Sequence, residues 1–368
     1  MVIKKILQKV NFRRDTLFAK QVIKSAIEDY KELYTLPGRS LYSEFIPISL
    51  PISSEYFVSC EKGVYHITGK GIQRVFDLWT MGIAVKDTDV YLASTNRKRT
   101  YIIKGRLDSF FNEKRPYKFQ ELYSERIFTS SHRIHQICVA EDSLWVANTP
   151  RNTLLQIDRH SGKKICEIAP FRDRFGAPVL YDNNHINSVF PCGDCLLFVA
   201  YRAGNKSLIG VYGNHKIVGY GYENVGVHDI FITRDDIIFS DTFGPGKPDS
   251  GGYLIVNGKP FHPEFFEPSP GFIVRGVSGN GSEMLIGHSH KGIRSERFKG
   301  TGSLLISKNG KVTDRYQLPF AQVYDIIHVS GQSFKHASNL NDFAGICEKI
   351  ESILGSPIYE TDAKFLSV

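Results

Sequence analysis

The sequence predicts an all-β fold, a six-bladed β-propeller over residues 45–330 with helical extensions at both ends. Three observations carry this: a strand start that recurs, a repeat interval the size of a propeller blade, and a last repeat whose missing strands lie at the other end of the chain. The segment "NHINSVFPCGDCLLFVAY" (184–201) shows the unit: His185 and Asn187 open an apolar strand, a turn follows, and a second apolar strand ends in a polar residue. Companions begin at 81 ("MGIAVKDTDVYLAST"), 135 ("HQICVAEDSLWVANT"), 228 ("HDIFITRDDIIFSDT"), 275 ("RGVSGNGSEMLIGHS") and 324 ("YDIIHVSG"). Third strands such as "TLLQID" (153–158) and "SLLISKNG" (303–310) follow a polar loop, and the starts lie 43 to 54 residues apart. Three or four short strands at that period are the signature of propeller blades.

The last repeat stops after one strand. "EYFVSC" (55–60), "GVYHITG" (63–69) and "IQRVFDL" (72–78) supply the rest, so a blade built from both chain ends closes the ring and removes its open edge. Outside the ring lie a basic N-terminal extension (1–44) and a helical tail (331–368). Within the first, residues 15–35 space Leu17, Val22, Ile23, Ile27 and Tyr30 as a helix does, and Pro37-Gly38 stops it. In the second, residues 338–354 read as an amphipathic helix capped by Ser338 or Asn339.

Of the formal charge of +8, residues 1–24 carry a net +6, so the rest is nearly neutral and no nucleic-acid groove is expected. Val2, Ile3, Ile6, Leu7, Val10 and Phe12 interleave with those cations. That composition suits peripheral contact with an anionic membrane, or a helix docked on the propeller. Lysines interrupt any signal-peptide core, and no run approaches the ~20 apolar residues that span a bilayer, which predicts a cytoplasmic protein. The one close cysteine pair, Cys192 and Cys195 in "CGDC", reads as a hairpin turn with free thiols.

"LWVANTPRNTLLQID" (144–158) resembles the blade pattern of NHL and gluconolactonase-like six-bladed propellers. The wider set "HINSV", "HDIFITRDDIIFSDTFGPG" and "GHSHKGIRSERFKGTGSLLIS" resembles the bacterial family known as domain of unknown function 4915, over most of residues 80–330. That resemblance implies a propeller and brings no established activity. The glutamate that gluconolactonase-like enzymes carry on the first strand is missing here.

In a propeller, innermost strands start on one face of the ring, and the loops between second and third strands return to it. Residues far apart in sequence therefore converge there. The strand starts bring His135, His185 with Asn187, His228 with Asp229, Arg275, and Tyr324 with Asp325; the loops bring Asn148, Arg151, Tyr201, Arg202, Asp241, His288, His290 and Arg294. His135, His185 and His228, at one position of three successive blades, would point at one axis and suit a divalent transition metal. Oligogalacturonate lyases, also propellers, offer a geometric analogy. The same histidines equally fit a wet polar channel, or acid–base work without metal. Asp229 and Asp325 could orient a histidine or Tyr324 for proton transfer, or simply cap backbone amides. Asn148, Arg151, Asn187, Arg202, Asp241, Arg275, His288, His290 and Arg294 are the candidate substrate contacts. The expected function is that of an enzyme (a lyase, hydrolase or isomerase) for a small anionic or sugar-derived substrate. The rival is a non-catalytic module that grips a glycan or protein partner.

Overall fold

Runs of apolar and β-branched residues broken by two-residue turns fold into six antiparallel sheets. The turns are chemically specified: Asn257-Gly258 and Asn309-Gly310 each place both residues at positive φ, the geometry of the tight hairpin turns that Asn-Gly favours. The structure, a computed structural model, describes residues 45–96, 99–111, 119–126, 133–233, 235–243, 252–261, 272–279, 282–291, 296–330 and 342–366. The chain divides into compact units at 1–38 and 39–368. The N-terminal extension expected over 1–44, with its helix at 15–35 and the cationic residues 1–24, lies outside the described residues.

The chain enters with β1 (Phe45–Pro47), β2 (Tyr56–Cys60), β3 (Gly63–Thr68) and β4 (Gly71–Phe76). Blade 1 is β5 (Thr80–Lys86), β6 (Asp89–Thr95), β7 (Arg99–Arg106) and β8 (Gln120–Arg126), with the short helix α1 (Leu107–Phe111) after β7. Blade 2 is β9 (Ile137–Ala140), β10 (Ser143–Asn148), β11 (Thr153–Asp158) and β12 (Lys164–Ala169). Blade 3 is β13 (Ile186–Cys192), β14 (Cys195–Ala203), β15 (Lys206–Gly213) and β16 (Lys216–Tyr222). Blade 4 is β17 (Val227–Ile232), β18 (Ile237–Asp241), β19 (Tyr253–Val256) and β20 (Lys259–Pro260). Blade 5 is β21 (Phe272–Gly279), β22 (Glu283–His290), β23 (Ser303–Lys308) and β24 (Lys311–Gln317). The sixth sheet has the order β1-β4-β3-β2-β25, with β25 (Val323–His328) innermost. Its pairing of Tyr56 with His328 closes the ring from both chain ends, as the sequence predicts. The fold is a six-bladed β-propeller.

Apolar side chains fill the spaces between blades. Phe190 of blade 3 meets Phe231 of blade 4 edge-on, and each is essentially fully buried. At the channel the packing turns polar. Ladder register slips around Met81, Asn187, Asp229, Arg275–Gly276 and Tyr324 in five of the six innermost strands. A bulge of this kind re-aims the skipped side chain and bends the strand.

Side chains at the innermost strand starts cap the next blade. Asp325 accepts from the Ile83 amide at 3.0 Å, Gln136 from Val189 at 3.1 Å, Ser188 from Ile230 at 3.1 Å and Asp229 from Gly276 at 2.9 Å. Asp229, left-handed at φ 45°, also accepts from the Ser240 hydroxyl. The two aspartates expected as acid–base partners thus sit 0–4 % exposed and satisfy amides that the bulges leave open.

The tail differs from its reading. Its helix, α2 (Phe343–Leu354), is capped by Asp342, which accepts from the Gly345 amide, whereas Ser338 and Asn339, the expected caps, lie outside the described residues. Ile346 and Ile350 are buried against blades 3 and 4. The chain then adds β26 (Tyr359–Asp362) to the edge of blade 3 and β27 (Lys364–Phe365) to the edge of blade 2. Such pieces are too short to show a period in sequence, and the unpaired edges of β16 and β12 template them. Cys192 and Cys195 face each other across their hairpin as free thiols, both pushed up to about 11 by burial.

Candidate functional site

The innermost strand starts and the returning loops enclose a cavity of about 340 Å³ at the channel mouth. Arg133, Arg202, Arg275 and Arg297 line it with His135 and His185; Trp79, Tyr201, Phe298 and Tyr324 give aromatic walls, and Met81 and Gln322 complete it. No carboxylate lines it among the described residues.

Three of the cations are held by their surroundings. The Arg133 guanidinium lies 3.6 Å over the Trp79 ring, which stacks parallel to Tyr324 and fixes the direction of its donors. Gln322 donates to the carbonyls of His290 and Arg297 and so anchors the loop that brings Arg297. Arg275, presented by its bulge, reaches down so that its Nη2 lies 2.9 Å from His228 Nε2. The other nitrogen of that ring lies 2.8 Å from the Asn187 amide nitrogen, which also donates to the Val227 carbonyl. Neutral imidazole has one acceptor nitrogen, so the ring cannot satisfy both donors. Burial and the Arg275 guanidinium hold the His228 pKa well below the ordinary imidazole value. Burial and the nearby Arg297 in turn lower that of Arg275.

The other two histidines line the cavity. His185 adopts φ 59°, an uncommon backbone state for a residue with a side chain, while Asp182 pairs with its Nδ1 at 3.0 Å. The carboxylate only accepts, so it holds the proton on Nδ1. His135 Nδ1 lies 2.7 Å from the Arg133 carbonyl and 2.8 Å from the Thr149 hydroxyl, with the same consequence. Burial, followed by the closeness of His185 and Arg275, holds His135 well below the usual imidazole range. The His135 and His185 rings meet edge-on at 4.8 Å, and Tyr201 stands between His185 and His228, 5.5 Å from each. Burial raises the pKa of Tyr201 and of Tyr324, so both hydroxyls remain donors.

This arrangement does not fit the axial metal centre expected of His135, His185 and His228. The Tyr201 ring separates the third histidine from the second, and both nitrogens of His228 face nitrogen donors. Among the described residues, no group of three or more His, Cys, Asp or Glu side chains could hold a metal ion.

Of the expected substrate contacts, Arg202 and Arg275 line the cavity, and Asn187 lies one tier below with His228. Five others go elsewhere. Asn148 donates to Glu125, and Arg151 pairs with Glu125 and with Glu167 at 3.1 Å, in a polar cluster joining blades 1 and 2. Asp241 accepts from Tyr222, Asn224 and the Phe243 amide. His288 is 1 % exposed and stacks on Phe272 at 4.4 Å; burial and the Arg315 charge push its pKa down to about 3. The His290 ring meets the same phenylalanine at right angles, 6.3 Å away. Arg294 lies outside the described residues.

Sequence reading missed Trp79, Arg133 and Gln322, Asp182 behind His185, and Arg297 with Phe298 in the loop before β23. The first three share a signal that was available: each stands two residues before a repeat start.

Fold and site together define a six-bladed propeller with a cationic, aromatic-walled cavity at one mouth of its channel. No family model matches the chain, and no curated protein matches it. Among solved structures, it is similar to a protein of unknown function from Bacteroides caccae, at 10% identity and a TM-score of 0.50, over 75% of this chain and 99% of that one. A chain of a nidogen/laminin complex aligns at 9% identity and a TM-score of 0.49, over 76% and 100%. Streptogramin B lyase aligns at 14% and 0.39, over 75% and 97%. At such identities the first likeness shows the fold alone.

Proposed function

We propose that the protein is an enzyme for a small anionic, sugar-derived substrate, whose carboxylate or phosphate lies on the guanidiniums at the channel mouth. One observation supports this most. Arg275 donates a hydrogen bond to a weak partner, the His228 ring, and no carboxylate ion pair accompanies it among the described residues, Asp229 acting on it only at longer range. A half-buried guanidinium with so little compensation is costly to hold unless something neutralises it. A bound oxyanion would do so, and three more arginines surround the place it would occupy. His185 Nε2, with Asp182 fixing the tautomer, is the group we assign to proton abstraction, and the Tyr201 hydroxyl is the donor opposite it. The aromatic walls suit the apolar faces of a sugar ring.

Kinship with the domain of unknown function 4915 family, a cytoplasmic location and contact of residues 1–24 with anionic membrane belong to the same proposal. No helix among the described residues is long and apolar enough to cross a membrane. Titration calorimetry with sulfate, then with sugar acids and sugar phosphates, tests the reading. Binding that weakens with salt is expected, with His185→Ala keeping affinity and losing turnover. If no anion binds, or if every bound ligand is recovered unchanged after long incubation, the enzymatic reading fails.

A further inference from the structure

Directly beneath the cavity is a second chamber of about 20 Å³, walled by Gln136, Asn187, His228 and Asp229 and sharing Met81, His135, Arg275 and Tyr324 with the space above. That volume admits one water molecule, for which about 10–15 Å³ suffices when two or more polar partners are present. Two buried polar atoms at this chamber have no hydrogen-bond partner in the protein: Asn187 Oδ1, on a side chain 4 % exposed, and Arg275 Nε. One is an acceptor and the other a donor, the pair a single water satisfies.

Their orientation is fixed from behind. The Asn187 amide nitrogen is committed to the Val227 carbonyl at 3.0 Å and faces His228, which assigns the opposite atom, Oδ1, as the oxygen. Gln136 Oε1 is already engaged by Ser188 and the Val189 amide, and Asp229 Oδ2 by Ser240 and the Gly276 amide.

We infer that this chamber is a one-water site, and that Asn187 determines specificity through that water. The water accepts from Arg275 Nε–H and donates one hydrogen to Asn187 Oδ1. Its second hydrogen is thereby directed toward the cavity, so the floor beneath the ligand presents a donor. A donor floor under a ring of guanidiniums favours an oxyanion with an oxygen directed down the channel, and disfavours a ligand that brings an N–H there. The role in ligand choice rests on the anion-site reading above; the water site itself stands on the chamber and its two unpaired atoms.

Crystals of the whole chain grown with and without sulfate, at a resolution that shows ordered water, test both parts. The expected result is one water within hydrogen-bond distance of Asn187 Oδ1 and Arg275 Nε in both crystals, with a sulfate oxygen above it in the second. In calorimetry, Asn187→Leu should weaken sulfate binding roughly tenfold, the loss of one hydrogen bond to a charged group. A dry chamber, a protein donor on Asn187 Oδ1, or wild-type sulfate affinity in a folded Asn187→Leu protein overturns the inference. If sulfate binds over a dry chamber, the anion reading survives without it. If the water is present and sulfate does not bind, the specificity role falls together with the anion reading.

Discussion

Arg151 and Arg275 both read from sequence as substrate contacts, and their surroundings are opposite. Arg151 lies between two carboxylates, Glu125 and the 2 %-exposed Glu167, and so holds blade 1 to blade 2. Arg275 projects from a strand bulge toward an imidazole that cannot accept from all its neighbours. The first arginine neutralises charge that the fold itself buries, and the second leaves charge for something else to neutralise. What separates a structural cation from a receiving one is the partner list, which a sequence does not carry.

The largest test of that contrast is ligand affinity. Arg275→Met should weaken sulfate binding about a hundredfold, since the hydrogen bonds of a charged group contribute about 1.5–3 kcal/mol each. Arg151→Met should leave sulfate binding as it is, and equal losses in calorimetry would erase the distinction. Stability should show the reverse order. Under denaturant, Arg151→Met should cost roughly 1.5 kcal/mol by removing the cation that links Glu125 and Glu167, less than for a fully buried pair because the arginine is partly exposed and Glu167 keeps Lys164 and the Thr153 hydroxyl. Arg275→Met should cost little or stabilise, because it removes a charge that only the longer-range attraction of Asp229 offsets.

Asp325 extends the comparison to carboxylates. Asp325→Ala should cost roughly 2 kcal/mol, because the Ile83 amide of the next blade loses its acceptor, and sulfate affinity should not change. Asp182→Asn should do the opposite: it should have a small effect on stability, and nitrogen NMR should show a changed His185 tautomer.

His288 gives a pH test. Its folded pKa of about 3 lies below the unfolded value of about 6.5, so between those values the unfolded chain binds the extra proton. Stability is therefore fully present above the unfolded value and is lost as pH falls. At pH 5 this one ring should account for roughly 2 kcal/mol, a loss that His288→Gln escapes in melts compared at pH 5 and pH 7.5. The smallest effect belongs to the tail. Asp342→Ala should cost about 1 kcal/mol, the usual worth of a helix N-cap.

The architecture was legible in sequence because its signals are local and repeated. Strand starts recur at blade intervals, Asn-Gly pairs mark hairpins, and the segments before residue 80 match what the last repeat lacks. The convergence of His135, His185, Arg202 and Arg275 on one mouth followed from the topology alone. Two things did not. Bulges decide which of two consecutive residues faces the channel, so His228 and Asp229 could not be told apart in role: the first lies in the channel and the second ties blade 4 to blade 5. Cross-blade partners such as Glu125 and Glu167 for Arg151 depend on side-chain contacts that no periodicity encodes.

The seam between β2 and β25 bears on how the molecule is made. Tyr56 and His328 pair across nearly the whole described chain, so during synthesis β2 to β4 must wait with one edge open until β25 leaves the ribosome. For that interval the five intervening blades form an arc, and the waiting edge, whose residues are all fully buried once the ring closes, is the most exposed template for pairing with another nascent chain. A permuted chain that begins at blade 1 and carries residues 45–78 after β25 would complete that blade without delay. It should refold with less aggregation than the natural order while reaching the same propeller.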